Sequence, residues 1–214
     1  MIADDVITAV NEPTNWVNLT VCNIKETPEG KKKMRLCLDP KDLSKNIRRE
    51  HYYTHTIDEL LLQLHGRKLF SIVDTKKGYW HVASDHVSSL LCILNTPFGR
   101  NCLKQLPFRV KLSQEIIQRE LHKVYKDIPN VMGIANDILV CGSIKTRHDQ
   151  AFCEMLKTTH KHKVSLNSEK LQFKQTLVDF FGHILTENGI QPAKEKLETI
   201  HYMKTPSNTR QLQT

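Results

Sequence analysis

The chain has 214 residues, of which 39% are hydrophobic and 25% charged, with a formal net charge of +8 and a pI of about 9.2. This composition predicts a globular protein with one sizeable core, and it excludes a transmembrane helix because no run of eighteen apolar residues occurs. The N-terminal stretch is acidic, unlike a signal peptide, so we expect an intracellular protein, while the basic balance favours a polyanionic partner such as nucleic acid.

The first predicted elements are a hairpin, a helix and a strand. Residues 16–24 alternate apolar and polar side chains, a turn-like stretch follows, and residues 34–39 alternate again, which predicts a β-hairpin. Residues 56–66 begin with threonine, carry Glu59 three positions later and end at glycine, which predicts a helix with a capping box. Residues 68–74 follow at once as a strand.

The second half of the chain alternates helices with strands. Residues 112–126 have apolar positions at helical spacing, with Ser113 as the expected N-cap. Residues 130–142 are typical of strand, polar turn and strand, residues 147–163 of an amphipathic helix, and residues 164–190 of a strand, a turn and a final hairpin. This order predicts an α+β fold with a mainly antiparallel sheet.

Cysteines and basic runs add little to this prediction. The cysteines occur singly, without a CxxC pair, which favours reduced and mostly buried thiols over a zinc site. They are Cys22, Cys37, Cys92, Cys102, Cys141 and Cys153. Basic runs at residues 31–33, 48–49 and 157–163 are compatible with nucleic-acid binding and equally with solvated surfaces.

Two aspartates lie at positions that suit a catalytic site. Asp74 ends the strand of residues 68–74, and Asp137 lies at the tip of the apolar hairpin. An acid at the end of a strand is usually a solvated turn residue, so neither is decisive alone. Phosphoryl transfer with two divalent ions, however, needs carboxylates from neighbouring strands, and magnesium takes only one or two of them. Their separation of 63 residues (137 minus 74) leaves room for a connection and a packing helix.

Seven blocks in the chain occur in the order and at the spacing of a known family. They are EPTNWVN (12–18), MRLCLDPKDLSKNIRREHY (34–52), FSIVDTKKGYWHV (70–82), LLCILNTPFGRNCLKQLPF (90–108), IANDILVCG (134–142), LNSEKLQF (166–173) and FFGHILTENGI (180–190). Together they resemble the reverse transcriptase domain of a gypsy-type long-terminal-repeat retrotransposon polyprotein, over nearly the whole chain.

This resemblance implies a polymerase right-hand fold, with an antiparallel palm sheet packed on helices and a fingers subdomain. Fingers would comprise residues 1–52 and 83–112, and the palm residues 53–82 and 113–190. Residues 191–214 would be the start of a truncated thumb, with no RNase H, protease or integrase region expected in the chain.

The resemblance also implies a metal site. Asp74, the backbone of Thr75 and Asp137 would hold Mg²⁺ or Mn²⁺, and Asn136 occupies the degenerate catalytic position. In the family an aromatic residue, a spacer and two aspartates form this motif, whereas here Ile134 and Ala135 precede the asparagine. A neutral carbonyl binds a hard dication more weakly than a carboxylate, so several kcal/mol of transition-state stabilisation and about a thousandfold in rate would be lost.

Other positions would bind the nucleotide. Arg35 would grip the triphosphate with Lys33 as helper, since a guanidinium fork suits phosphate oxygens, although without the family it is simply a surface charge on a strand. Tyr79 would exclude a ribose 2′-hydroxyl, or else pack in the core beside Trp80. Phe108, in the LPF block, joins this nucleotide-binding set.

Lys170 would lie near the leaving pyrophosphate, or else be a solvated lysine. Phe181, Gly182 and His183 would approach the end of the primer, and the alternative for the two side chains is packing on the sheet. Their hairpin resembles the family's primer-holding element.

Further departures from the family affect the nucleotide pocket. Arg109 replaces the glycine after LPF, and Ser113 and Gln114 replace the small residue and proline that open the helix. Glycine lets backbone approach template and nucleotide closely, so the arginine would obstruct this approach or instead pair with a phosphate. Ser44 replaces a customary asparagine.

The function implied is RNA-directed DNA polymerase activity on an RNA or DNA primer-template with deoxynucleotides. We expect this activity to be impaired or lost because of Asn136, Arg109 and the incomplete thumb. The alternative is a non-catalytic nucleic-acid-binding remnant or a domesticated protein. An unrelated α+β interaction protein is disfavoured by seven ordered blocks.

Overall fold

Antiparallel sheets with helices packed against them make up the part of the chain that the computed structural model describes, which is residues 1, 4–26, 30, 32–49, 52–53, 59 and 62–202. The strands are β1 (Ile7–Ala9), β2 (Thr20–Glu26), β3 (Lys32–Leu38), β4 (Leu69–Thr75), β5 (Ile93–Thr96), β6 (Gly99–Leu103), β7 (Val131–Ile134), β8 (Asp137–Gly142), β9 (Leu166–Gln175), β10 (Leu177–Phe180), β11 (His183–Thr186) and β12 (Gly189–Pro192). The helices are α1 (Lys41–Asn46), α2 (His86–Leu91), α3 (Ser113–Tyr125), α4 (Lys145–Lys161) and α5 (Lys194–Tyr202), with a 3₁₀ turn at Gly78–His81.

The largest sheet has the strand order β7-β8-β4-β9, and its pairs are all antiparallel. Successive side chains of a strand point to opposite faces. On one face Val73, Ile138 and Val140 pack against α3 and α4. On the other, Ile72 and Leu139 belong to a second core under the β10-β11-β12 sheet. The centre of the sheet is therefore buried on both sides, and only its ends are available for a site.

A third core joins the N-terminal segments to the middle of the chain. Val6, Leu38 and Leu43 pack with Leu94 and Leu103 of the β5-β6 hairpin. β1 adds to the edge of that hairpin, while β2 and β3 pair with each other. This core draws on residues far apart in the sequence, so two stretches of chain build one unit.

The predicted α+β class with antiparallel sheets is confirmed, and several local predictions change. The N-cap at Ser113 is wrong, because Leu112 holds that position without a side-chain cap and the Ser113 hydroxyl donates to Pro107 O at 2.7 Å. The predicted final hairpin is a three-stranded sheet followed by α5. Of the predicted helix over residues 56–66, residues 56–58, 60 and 61 lie outside the described residues, while residues 59, 62 and 63 are helical and residues 64–66 form a turn.

All the cysteines are free. Cys92, Cys102 and Cys141 are buried, whereas Cys22 and Cys153 are exposed, so the prediction of mostly buried thiols holds for only half of them. Across the described residues, the helices are too short or too polar to cross a bilayer.

Candidate active site

Asp74 and Asp137 lie directly opposite each other at one end of the largest sheet. Asp74 is the sixth residue of β4, Asp137 is the first of β8, and the two are Cα partners across the antiparallel ladder. Such partners have Cβ atoms about 5 Å apart on the same face. The structure therefore brings together the two carboxylates whose proximity the sequence spacing left open.

Burial and like charge make this pair receptive to a cation. The pKa of Asp137 is raised, first by burial and then by the neighbouring charge of Asp74, while Lys170 acts in the opposite direction. Lys170 Nζ lies 2.6 Å from Asp74 Oδ2. Lys170 therefore forms an ion pair with an aspartate of the site, while its side chain remains 66% exposed to solvent.

The side-chain oxygen of Asn136 lies beside Gly78 in the turn between β7 and β8. Ile134 pairs with Asp137, which leaves Ala135 and Asn136 as a two-residue turn, and Ala135 has a φ of +53°. The Asn136 Oδ1 atom is buried and has no hydrogen-bond partner among the described residues. It lies instead against Gly78, where an added Cβ would be only 2.5 Å from that oxygen.

The same contact explains why residue 78 is glycine. A Cβ there would also lie 2.6 Å from Thr75 Oγ1. Thr75 points to the opposite face of β4 from Asp74, so the Asn136 oxygen lies beside the helix-facing side of the sheet. The Thr75 amide and hydroxyl both donate to Asn136 O, at 2.8 and 2.9 Å. These bonds fasten the turn to the end of β4.

Gln118 of α3 also holds this turn, and sequence reasoning missed it. Its Nε2 donates to Gly133 O at 2.7 Å and its Oε1 accepts from Ala135 N at 2.9 Å, although the residue is almost fully buried. A left-handed φ at alanine is strained, and a clamp on both sides compensates for that strain. The only signal in the sequence is a glutamine next to the apolar stripe of α3, which is too common to single out.

Tyr79 sits in a polar and aromatic cluster. Its hydroxyl donates to Gln114 Oε1 at 2.6 Å, and its ring meets that of Phe108 edge-on with centroids 5.2 Å apart. The ring also packs against the core beneath α3 and α4, and burial raises the pKa of the phenol. Trp80 packs against the third core, which joins the N-terminal segments to the β5-β6 hairpin and contains Val6 and Leu94. Gln114, present where the family has proline, therefore holds the tyrosine in place.

Arg109 keeps the backbone conformation that a glycine would adopt. Its φ is +78°, in the left-handed region, and its side chain is exposed. The glycine expected by resemblance therefore has a conformational reason in this chain, in addition to close approach to a ligand.

The predicted triphosphate-binding residues belong to the β2-β3 hairpin. Arg35 and Lys33 lie on one face of the β2-β3 hairpin, opposite Asn23 and Lys25 in the register, and their side chains lie outside the described part of the structure.

Phe181 and Gly182 form the tight turn between β10 and β11, with φ values of +51° and +71°. The Phe181 ring packs edge-on against Phe180, and His183 Nδ1 bonds to Phe181 O at 3.2 Å. Both side chains thus have contacts within their own hairpin, and their approach to a primer stays a prediction.

The donor set fits one divalent ion better than two. No three His, Cys, Asp or Glu side chains cluster as metal ligands within the described residues. Asp74 and Asp137 supply two carboxylates, which is sufficient for one magnesium ion with waters and phosphate oxygens as its other ligands. The buried Asn136 oxygen cannot join them without leaving Gly78.

An antiparallel sheet backed by two helices, with paired carboxylates at its end, is typical of the palm of a nucleic-acid polymerase. A family model described as "Reverse transcriptase (RNA-dependent DNA polymerase)" matches residues 23–185. The chain belongs to this family.

Relatives and solved structures agree with this assignment. The chain is 28% identical over 195 residues to the "Enzymatic polyprotein" of cauliflower mosaic virus (strain D/H), covering 90% of this chain and 29% of that protein. It is 26% identical over 214 residues to the "Retrovirus-related Pol polyprotein from transposon opus" of Drosophila melanogaster, covering 99% of this chain and 21% of the polyprotein. The chain thus spans less than a third of these relatives.

Among solved structures, a foamy viral protease-reverse transcriptase in complex with double-stranded DNA has a TM-score of 0.83 at 18% identity, over 99% of this chain and 36% of that one. The same type of enzyme in complex with an RNA/DNA hybrid has a TM-score of 0.79 at 17% identity, over 99% and 28% of the respective chains. These likenesses establish the fold.

Proposed function

We propose that this chain is the fingers and palm of a reverse transcriptase from a gypsy-type retrotransposon, and that its nucleotidyl transfer is strongly weakened. Its partners would be an RNA or DNA primer-template and deoxynucleotides. The similarity to the transposon opus polyprotein, and to that of transposon 412 at 26% identity over 185 residues, supports the gypsy-type origin. The core that joins the N-terminal strands to β5 and β6 supports a fingers unit built from residues 1–52 and 83–112.

One observation carries the proposal: Asp74 and Asp137 face each other, while the Asn136 Oδ1 atom is buried against Gly78. The two aspartates would hold Mg²⁺ or Mn²⁺, which supplies Lewis-acid stabilisation of the reacting phosphoryl oxygens when bound. Tyr79, fixed by Gln114, would stand beside the sugar and exclude a 2′-hydroxyl. Each of these roles uses a side chain whose position is set by the sheet or by α3.

The magnitude of the weakening follows from the missing carboxylate. If one carboxylate near the ions contributes about 4 kcal/mol to transition-state stabilisation, its loss reduces the rate about a thousandfold, at about 1.4 kcal/mol for each factor of ten. The left-handed Arg109 adds a side chain next to Phe108, in the block assigned to the nucleotide pocket. Both changes lower turnover without unfolding the palm.

Primer extension on a homopolymer template, in Mg²⁺ and in Mn²⁺, tests the proposal. Asn136→Asp is expected to raise incorporation by about a hundredfold to a thousandfold over the unaltered chain, and a second change, Arg109→Gly, to raise it further. Asp74→Ala sets the background. Incorporation by the unaltered chain as fast as by Asn136→Asp would refute the weakening, and no incorporation by either variant would refute the polymerase assignment of the site.

A binding-only role is the second candidate, favoured by the net charge of +8 and by the basic residues in the sequence of the β2-β3 hairpin. In that case the chain holds primer-template with an affinity that falls steeply with salt, while even the restored variants incorporate nothing. Filter binding at two or more salt concentrations, run beside the extension assay, separates the two functions.

A further inference from the structure

The Lys170 ammonium lies on the carboxylate that would take a metal ion. Its Nζ is 2.6 Å from Asp74 Oδ2, and the lysine side chain is 66% exposed whereas that of the aspartate is 18% exposed. The contact joins the inner strand β4 to the edge strand β9. A cation tethered to the protein thus occupies a position that a divalent ion would need.

A bulge in β9 aims Lys170 at this position. Gln172 pairs with Ile72 and Asn167 pairs with Asp74, so five steps along β9 correspond to two along β4. In a regular ladder, strict alternation decides which face a side chain points to, and extra residues release it from that constraint. The contact is therefore built into the path of the strand.

The charges of the site show what this lysine does. Asp74 and Asp137 contribute two negative charges and Lys170 one positive charge, so the formal total is −1, whereas an aspartate at position 136 would make it −2. The buried Asn136 oxygen adds no charge and no accessible ligand. Lys170 therefore offsets half of the charge with which the two aspartates attract a dication.

Exposure of the lysine makes the contact reversible. Exposed ion pairs shift an equilibrium by about fivefold at most, because water and salt screen them and the long side chain loses entropy on pairing. The ammonium therefore competes with an incoming ion and does not block it permanently.

We propose that Lys170 sets the divalent-ion affinity of this site by competing with the ion for Asp74. This inference rests on the proposed function, because it takes the two aspartates as the ion ligands. While no ion is bound, the lysine stabilises the two facing carboxylates. When an ion binds, the lysine moves out into solvent and leaves both carboxylates to the ion.

Mn²⁺ binding to the full chain, measured from the electron paramagnetic resonance signal of the free ion, tests this role without any turnover. Lys170→Met is expected to bind Mn²⁺ about fivefold more tightly than the unaltered chain, and Lys170→Arg to bind it within about twofold of the unaltered chain. Asp74→Asn identifies the site by abolishing its binding. Lys45→Met is the matched control, because Lys45 is exposed to the same extent as Lys170, also pairs with an aspartate, and its loss changes net charge equally.

The inference is overturned if Lys170→Met binds Mn²⁺ no more tightly than the unaltered chain. It is also overturned if Lys45→Met gains as much Mn²⁺ affinity as Lys170→Met, because the gain would then come from the change in net charge alone. Absence of Mn²⁺ binding in every variant overturns it as well. Failure of the proposed polymerase function is recognised separately, by the absence of primer extension in a chain whose Lys170→Met variant still binds Mn²⁺ more tightly.

Discussion

Arg109→Gly is expected to stabilise the protein, independently of any activity. A left-handed backbone costs a residue with a Cβ about 1–2 kcal/mol, and glycine avoids this cost but loses about 0.5–1 kcal/mol more entropy on folding. The φ of Arg109 is +78°, and its exposed side chain forms no hydrogen bond or ion pair with the described residues. The net gain in the free energy of unfolding is therefore about 0.5–1 kcal/mol, or a rise in Tm of about 1–4 °C for a chain of this size.

Calorimetry or urea unfolding measures this gain, and two variants control for it. Arg109→Ala keeps a Cβ and is expected to gain nothing from the backbone. Arg100→Gly, on β6, introduces glycine where φ is not positive, and is expected to lose about 0.5–1 kcal/mol. A Tm for Arg109→Gly as low as that for Arg100→Gly would show that residue 109 is not strained.

Three further predictions concern the carboxylate pair and the core. Gln118→Ala removes two hydrogen bonds from the turn and is expected to lower the free energy of unfolding in urea by about 2 kcal/mol, at about 1 kcal/mol each; a loss below about 0.5 kcal/mol would show that the turn is held by other contacts. Burial raises the pKa of the Cys92 and Cys141 thiols from 9.0 to about 11, so the folded state keeps protons that the unfolded chain releases. Stability is then fully present below about pH 9 and falls by up to about 2–3 kcal/mol per thiol as pH rises to about 11. Urea unfolding at constant stability across this window would contradict the prediction. Asn136→Asp is expected to lower Tm in EDTA, by the equivalent of about 2 kcal/mol, because a carboxylate at this buried position lacks a partner. Part of this loss is expected to be recovered in Mn²⁺, whereas Asn136→Ala is expected not to respond to the ion. A Tm of Asn136→Asp that does not change with Mn²⁺ would contradict the prediction.

Periodicity predicted the long elements of the fold. The helices α3 and α4 bury apolar side chains at helical spacing, and β4 is a short, almost continuously buried apolar run, so these elements are visible in the sequence. The β2-β3 hairpin shows alternation in the sequence although Val21, Ile24 and Met34 are exposed. β1 and β12 are too short to show a period, and they exist because an edge strand accepts their hydrogen bonds. The predicted N-cap at Ser113 fails because its hydroxyl is buried near Pro107 and donates to that carbonyl instead of capping the helix.

The positions of the two aspartates could be predicted because they flank apolar strands. Asp74 and Asp137 each end or begin an apolar strand, and that pattern marks both positions, but their pairing depends on a register between strands 63 residues apart (137 minus 74). Gln118 and Gln114 act through side-chain bonds across elements, which leave no local pattern. Lys170 lies where the register between β4 and β9 shifts, and such a shift cannot be read from alternation.

The turn that carries Asn136 has an evolutionary consequence. It is fastened by Gln118 and by the Thr75 amide and hydroxyl, all of which bind its backbone, and the carboxylate missing from this chain takes no part in that attachment. Selection for a folded chain therefore does not favour a carboxylate at position 136, whereas selection for DNA synthesis does. Once a copy of such an element is released from copying itself, an asparagine can spread at this position while the architecture persists, and a single base change in the asparagine codon would restore the acid.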